Sequence, residues 1–130
     1  MALIKKFRIK SFKEEEAILE LKKISMFYNK RQILNNLDLK INPQEVLGML
    51  GPNGVGKSTI FHIITGLKDP SFGKVLINGT DCTNIPIYER ATRFKIGYVP
   101  QYGGFIQDLN LLENLKLVAE IHIKEKDLRQ

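Results

Sequence analysis

Residues 51–59 read GPNGVGKST, and no other stretch restricts the possible folds of this chain as tightly. The apolar run Val46, Leu47, Gly48, Met49 and Leu50 stands before it. Ile60, Phe61, Ile63 and Ile64 follow at helical spacing until Gly66, a residue suited to end a helix. A strand, a glycine loop and a helix in this order turn successive backbone N–H groups towards one point, where the helix N-terminus adds its partial positive charge. Gly51, four further residues and then Gly56-Lys57-Ser58 match the pattern of a phosphate-binding loop.

Each residue type has a physical task there. Gly51, Gly54 and Gly56 permit backbone angles and close approaches that a side chain would block. Lys57 offers a compact cation for the β- and γ-phosphates of a nucleoside triphosphate, and the Ser58 hydroxyl is a small hard oxygen suited to Mg²⁺. Thr59 is expected nearer the α-phosphate. The competing reading is a glycine turn that happens to precede a lysine. The apolar strand before it and the apolar-periodic helix after it favour phosphate.

At 130 residues, with 43% hydrophobic and 26% charged residues, the chain has the composition of one ordinary globular domain. A net charge of +6 permits nucleic acid, anionic membrane surfaces or phosphate ligands without choosing among them. Part of that charge lies in Lys5, Lys6, Arg8, Lys10 and Lys13, ahead of Glu14, Glu15 and Glu16, which reads as a solvated leader over residues 1–18. Cys82 is the only cysteine, so no intrachain disulfide can form, and a reducing cytosol fits. No apolar run approaches the roughly 18 residues that span a bilayer, so any membrane anchor is expected from another chain.

Along the chain, residues 17–25 and 32–41 alternate as half-buried strands do and predict a hairpin around Tyr28-Asn29-Lys30-Arg31. Asn42-Pro43 breaks the pattern. Residues 46–50 predict a strand buried on both faces, central in a parallel sheet. A turn is expected at 70–73, a strand at 74–77 and a tight turn at Asn78-Gly79. Pro86 is expected in the first turn of a short helix running through Glu89 and Arg90. Residues 96–99 predict a further buried strand closed by Pro100. From Asn110 to about residue 123 the spacing predicts a helix with Leu111, Leu112, Leu115, Val118 and Ala119 along one stripe, capped by Asn110 with support from Glu113.

With these elements placed, GPNGVGKST resembles the Walker A sequence of ABC-type ATPases, departing from its usual form only at Val55. Tyr28 matches the upstream aromatic residue that in this family stacks on adenine. Gln101 matches the Q-loop glutamine, and Glu113-Asn114-Leu115 resembles the start of the family's helical subdomain. The resemblance implies ATP and Mg²⁺ as ligands. It implies nucleotide contacts from Tyr28, Gly51, Pro52, Asn53, Gly54, Val55, Gly56, Lys57, Ser58 and Thr59, metal contacts from Ser58 and Gln101, and catalytic roles for Lys57 and Gln101. It further implies transmembrane permease subunits as partners, a homodimer of nucleotide-binding domains, no nucleic acid, and a cytoplasmic location on the inner face of the plasma membrane. Within the family, Ile85-Pro86, Glu89-Arg90-Ala91 and the run from Ile96 to Gln101 look most like the ATPase of lipopolysaccharide export, although Tyr102 stands where that subunit usually carries glutamate.

The family's signature sequence, Walker B strand, catalytic glutamate and switch histidine do not occur in these residues, and His62 and His122 read as packing or surface residues. The expectation is therefore an α/β P-loop NTPase fold of ABC type, incomplete over residues 19–130. It has an antiparallel β subdomain, a partial RecA-like core and the start of a helical subdomain. The alternatives are a P-loop nucleoside or metabolite kinase, which usually places its loop after the first strand, and a non-transport ABC ATPase, which usually carries long insertions.

Overall fold

The structure, a computed structural model, describes residues 5–8 by their backbone and residues 16–122. The chain divides into two compact units, Met1–Ile96 and Gly97–Gln130.

In the first unit, β2 (Leu19–Tyr28) and β3 (Arg31–Ile41) form the expected antiparallel hairpin, with Asn29 taking the left-handed turn at φ 53°. They join β5 (Phe72–Ile77) and β6 (Thr80–Asp81) in a four-stranded antiparallel sheet ordered β3-β2-β5-β6. Asn78 and Gly79, at φ 48° and 74°, make the tight turn between β5 and β6. A bulge at Lys22-Lys23 interrupts the alternation of β2, so that both lysines face out while Ile24, Ser25 and Met26 are all buried. Gly73 lies against it at φ 99°, and a Cβ there would stand 2.5 Å from the carbonyl oxygens of Lys22 and Lys23. Gly73 therefore belongs to β5, which begins at Phe72 and takes in half of the expected turn.

One face of the sheet packs with helix α1 (Lys57–Thr65): Leu21, Ile24, Met26, Leu34, Val75, Ile77 and Cys82 form a single core with Ile60 and Ile63. Helix α2 (Ile87–Phe94) follows, with Pro86 at its N-cap rather than inside its first turn. The Pro86 carbonyl accepts from the amides of Glu89 and Arg90.

Two strands differ in detail from the expectation. β4 (Leu47–Leu50) pairs antiparallel with β1 (Lys5–Arg8), its one partner among the described residues, and so residues 5–8 of the expected leader form a strand. Its residues alternate half-buried and exposed, with Met49 against the core and Leu50 62% exposed, because only one face meets packed residues. Residues 96–99 form no strand, and Val99 is 91% exposed. An apolar run becomes a strand only where a neighbouring edge takes its N–H and C=O groups, and no strand among the described residues pairs with it.

In the second unit, α3 (Leu111–His122) starts as the sequence predicts. The Asn110 side chain accepts from the Glu113 amide at 3.0 Å, and the Glu113 carboxylate accepts from the Asn110 amide at 2.8 Å. The buried anchor of this helix is polar: the Asn114 side-chain amide donates to the carbonyls of Ile106, Leu109 and Asn110. Leu111, Leu112, Leu115 and Val118 are exposed. Among the described residues no helix is long and apolar enough to cross a membrane.

Candidate functional site

The chain leaves β4 at Gly51 and Pro52, turns at Asn53-Gly54 and enters α1 through Gly56. Gly56 is required on two counts. Its φ is 101°, and a Cβ would lie 2.8 Å from Leu34 Cδ2 and 3.2 Å from Ile33 Cγ2 on the adjacent strand. The loop is thus seated on β3. Asn53 and Gly54 are exposed, Val55 is half-buried, and Gly54 has φ 79° with open space around it. The Lys57 ammonium donates to the Gly51 carbonyl at 2.5 Å and the Pro52 carbonyl at 2.7 Å, which places a cation across the mouth of the loop.

No side chain caps α1, and its first turn contains no acidic residue. The first turn of an α-helix has amides without intrahelical acceptors, and here the flanking side chains leave them unanswered. Ser58 is exposed and Thr59 half-buried on this turn. The local arrangement is a concentration of donors and positive charge suited to an anion with several oxygens.

The other end of α1 is closed. Gly66 takes φ 82°, its amide donates to the Ile63 carbonyl, and the amides of Leu67 and Lys68 both donate to the His62 carbonyl. Arg90, reaching back from α2, is 0% exposed. Its guanidinium donates to the carbonyls of Ile63 at 2.7 Å, Ile64 at 2.9 Å, Ile85 at 2.6 Å and Thr83 at 3.0 Å. Burial pulls its pKa below the usual arginine value. A Cβ on Gly66 would stand 2.8 Å from both Arg90 Nε and the Ile85 carbonyl, so the glycine also makes room for the clamp. The short helix expected around Arg90 carries no sign of this role, since nothing local to α2 says which carbonyls its side chain will meet.

Tyr28 ends β2 and is 37% exposed, and its hydroxyl accepts from the Lys68 ammonium. Beside it, Phe27 and Phe72 pack edge to face with centroids 6.3 Å apart. Gln101 belongs to the second unit, where it is exposed and its side-chain amide lies 3.4 Å from the Tyr102 hydroxyl. His62 is half-buried on α1, and His122 lies at the end of α3 with its side chain outside the described residues.

The sequence profile described as ABC transporter matches residues 34–130, about three-quarters of the chain. This chain belongs to the ABC transporter family. An uncharacterized ABC transporter ATP-binding protein of Rhizobium meliloti is 40% identical over 103 residues, which are 79% of this chain and 38% of that protein. The lipopolysaccharide export system ATP-binding protein LptB of Haemophilus influenzae is 38% identical over 112 residues, 86% of this chain and 45% of its own length. Among solved structures, an ATP-binding cassette seen as a dimer in a post-hydrolysis state with ADP and Pi superposes with a TM-score of 0.61 at 31% identity, covering 76% of this chain and 45% of that one. The chain thus spans less than half the length of these ABC relatives.

Proposed function

We propose that residues 51–59 bind the phosphates of ATP with Mg²⁺ and that the chain forms part of the ATP-binding subunit of an ABC transporter. One observation carries the phosphate assignment: the N-terminus of α1 has no side-chain cap and no carboxylate, and Lys57 lies at its entrance. The backbone of Gly51, Pro52, Asn53, Gly54, Val55 and Gly56 surrounds the phosphates, and the ammonium of Lys57 moves from the loop carbonyls to phosphate oxygens. Thr59 supports the innermost phosphate, and Tyr28 offers its ring to the base. Ser58 would hold Mg²⁺, whose chemistry there is to neutralise phosphate charge during hydrolysis; for Gln101 a metal contact is proposed from the family resemblance alone. Lys57 and Gln101 act in catalysis within the larger protein, and residues 19–130 form part of its nucleotide-binding domain, to whose β4 the segment Lys5–Arg8 adds a strand.

The proposed partners are transmembrane permease subunits and a second nucleotide-binding domain, at the cytoplasmic face of the plasma membrane. The dimeric structure of the ADP-bound cassette supports the pairing. Lipopolysaccharide is the proposed cargo, on the likeness to the Haemophilus influenzae protein. A Nod factor export ATP-binding protein of Cupriavidus metallidurans, 35% identical over 103 residues, supports a second reading in which a Nod factor is carried.

The test is equilibrium binding of fluorescent ATP with Mg²⁺. Lys57→Ala should lower affinity by at least about tenfold, as expected for loss of a hydrogen-bonding charged group, and Lys57→Arg should also weaken it, because a planar guanidinium cannot occupy the same point. Unchanged affinity in both variants would refute the phosphate assignment.

A further inference from the structure

We infer that Lys68 is a positioning residue for the base-binding ring of Tyr28, an inference that rests on the reading of Tyr28 above. Lys68 follows α1, the helix that begins at the phosphate loop, and is half-buried at the end of β2. Its ammonium donates to the Tyr28 hydroxyl and lies 4.4 Å from the ring centroid. The cation thus lies over one side of the ring while donating to its phenol oxygen. It fixes the ring and leaves the opposite face for stacking.

The backbone around Lys68 is held on both sides. Before it, the amides of Leu67 and Lys68 donate to the His62 carbonyl at 2.9 and 3.1 Å. After it, the Ser71 amide donates to the Ser25 carbonyl at 2.9 Å, and the Ser71 hydroxyl accepts from the Phe27 amide at 3.1 Å. The connection from α1 to β5 is therefore tied to α1 at one end and to β2 at the other. Lys68 stands between these ties, beside the ring. Its hydrogen bond lowers the number of orientations Tyr28 must give up when a base stacks, which is where preorganisation adds affinity. The ammonium over the ring also holds it by a cation–π contact on the side away from the purine.

Two consequences separate this from a surface contact. The hydroxyl of Tyr28 matters, so Tyr28→Phe is not neutral. The effect depends on the base, so a ligand of phosphates alone does not sense it. The experiment measures binding of ATP and of inorganic tripolyphosphate, each with Mg²⁺, to the full chain and to Lys68→Ala, Lys68→Arg, Tyr28→Phe, Tyr28→Ala and the Lys68→Ala/Tyr28→Phe pair. Thermal unfolding of each variant is followed alongside.

Lys68→Ala and Tyr28→Phe should each weaken ATP about threefold to tenfold, the range of one net hydrogen bond. The pair should lose no more than either alone, Lys68→Arg should retain most of the affinity, and tripolyphosphate binding should be unchanged throughout. If Tyr28→Ala weakens ATP and Lys68→Ala does not, the inference is overturned while the base-stacking reading stands. Equal losses of ATP and tripolyphosphate in Lys68→Ala overturn it by showing a general effect of charge or folding. Unchanged ATP affinity in Tyr28→Ala overturns both readings.

Discussion

The two ends of α1 are built in opposite ways. At the C-terminus every device for satisfying carbonyls is in use: Gly66 in the left-handed conformation, two amides on the His62 carbonyl, and a fully buried guanidinium on Ile63 and Ile64. At the N-terminus the chain supplies a left-handed glycine, a lysine and two hydroxyls, but no capping side chain and no acid. Helix α3 shows that this chain can close such an end, because Asn110 and Glu113 form a reciprocal capping box there. The open end of α1 forgoes about 1 kcal/mol of capping. Its amides and its positive potential stay uncapped, as the proposed phosphate site requires, and the clamp at the far end holds the helix that presents them.

The largest effect is expected at the clamped end. Arg90→Met should destabilise the chain by about 2–4 kcal/mol, since it leaves buried carbonyls without donors. Urea unfolding measures this, and a loss below about 1 kcal/mol would mean that water or local rearrangement replaces the guanidinium. The capped helix should respond less. Asn110→Ala should cost about 1 kcal/mol, read as faster amide exchange in the first turn of α3, with ATP affinity unchanged. A fall in ATP affinity in that variant would remove the distinction between a structural helix start and a binding one.

What was legible in the sequence follows the same division between local and distant causes. The glycine loop into α1, the hairpin at Tyr28 to Arg31, the Asn78-Gly79 turn, Gly66 as terminator and the Asn110/Glu113 box are each written in a few adjacent residues, because backbone angles and capping are local properties. The misread parts depend on partners far along the chain. β4 finds its partner in Lys5–Arg8, some forty residues upstream, and residues 96–99 have a similar apolar composition with no paired edge among the described residues. Arg90 and Lys68 were invisible as site-building residues for the same reason. Arg90 meets Ile63 across 27 positions and Lys68 meets Tyr28 across 40, distances at which no periodicity or motif carries information.

The central claim is that the first turn of α1 is kept open for an anion, and Thr59→Glu tests it most directly. Thr59 is the third residue of α1, the position Glu113 holds in α3, so the substitution copies the closed arrangement onto the open helix. A carboxylate there interacts favourably with the helix dipole by about 0.3–1 kcal/mol, so thermal stability should hold or rise. Affinity for ATP with Mg²⁺ should fall by more than about tenfold, as a fixed negative charge meets the phosphates at close range, while Thr59→Gln should lose much less. Undiminished ATP affinity in Thr59→Glu, in a variant that remains folded, would contradict the account.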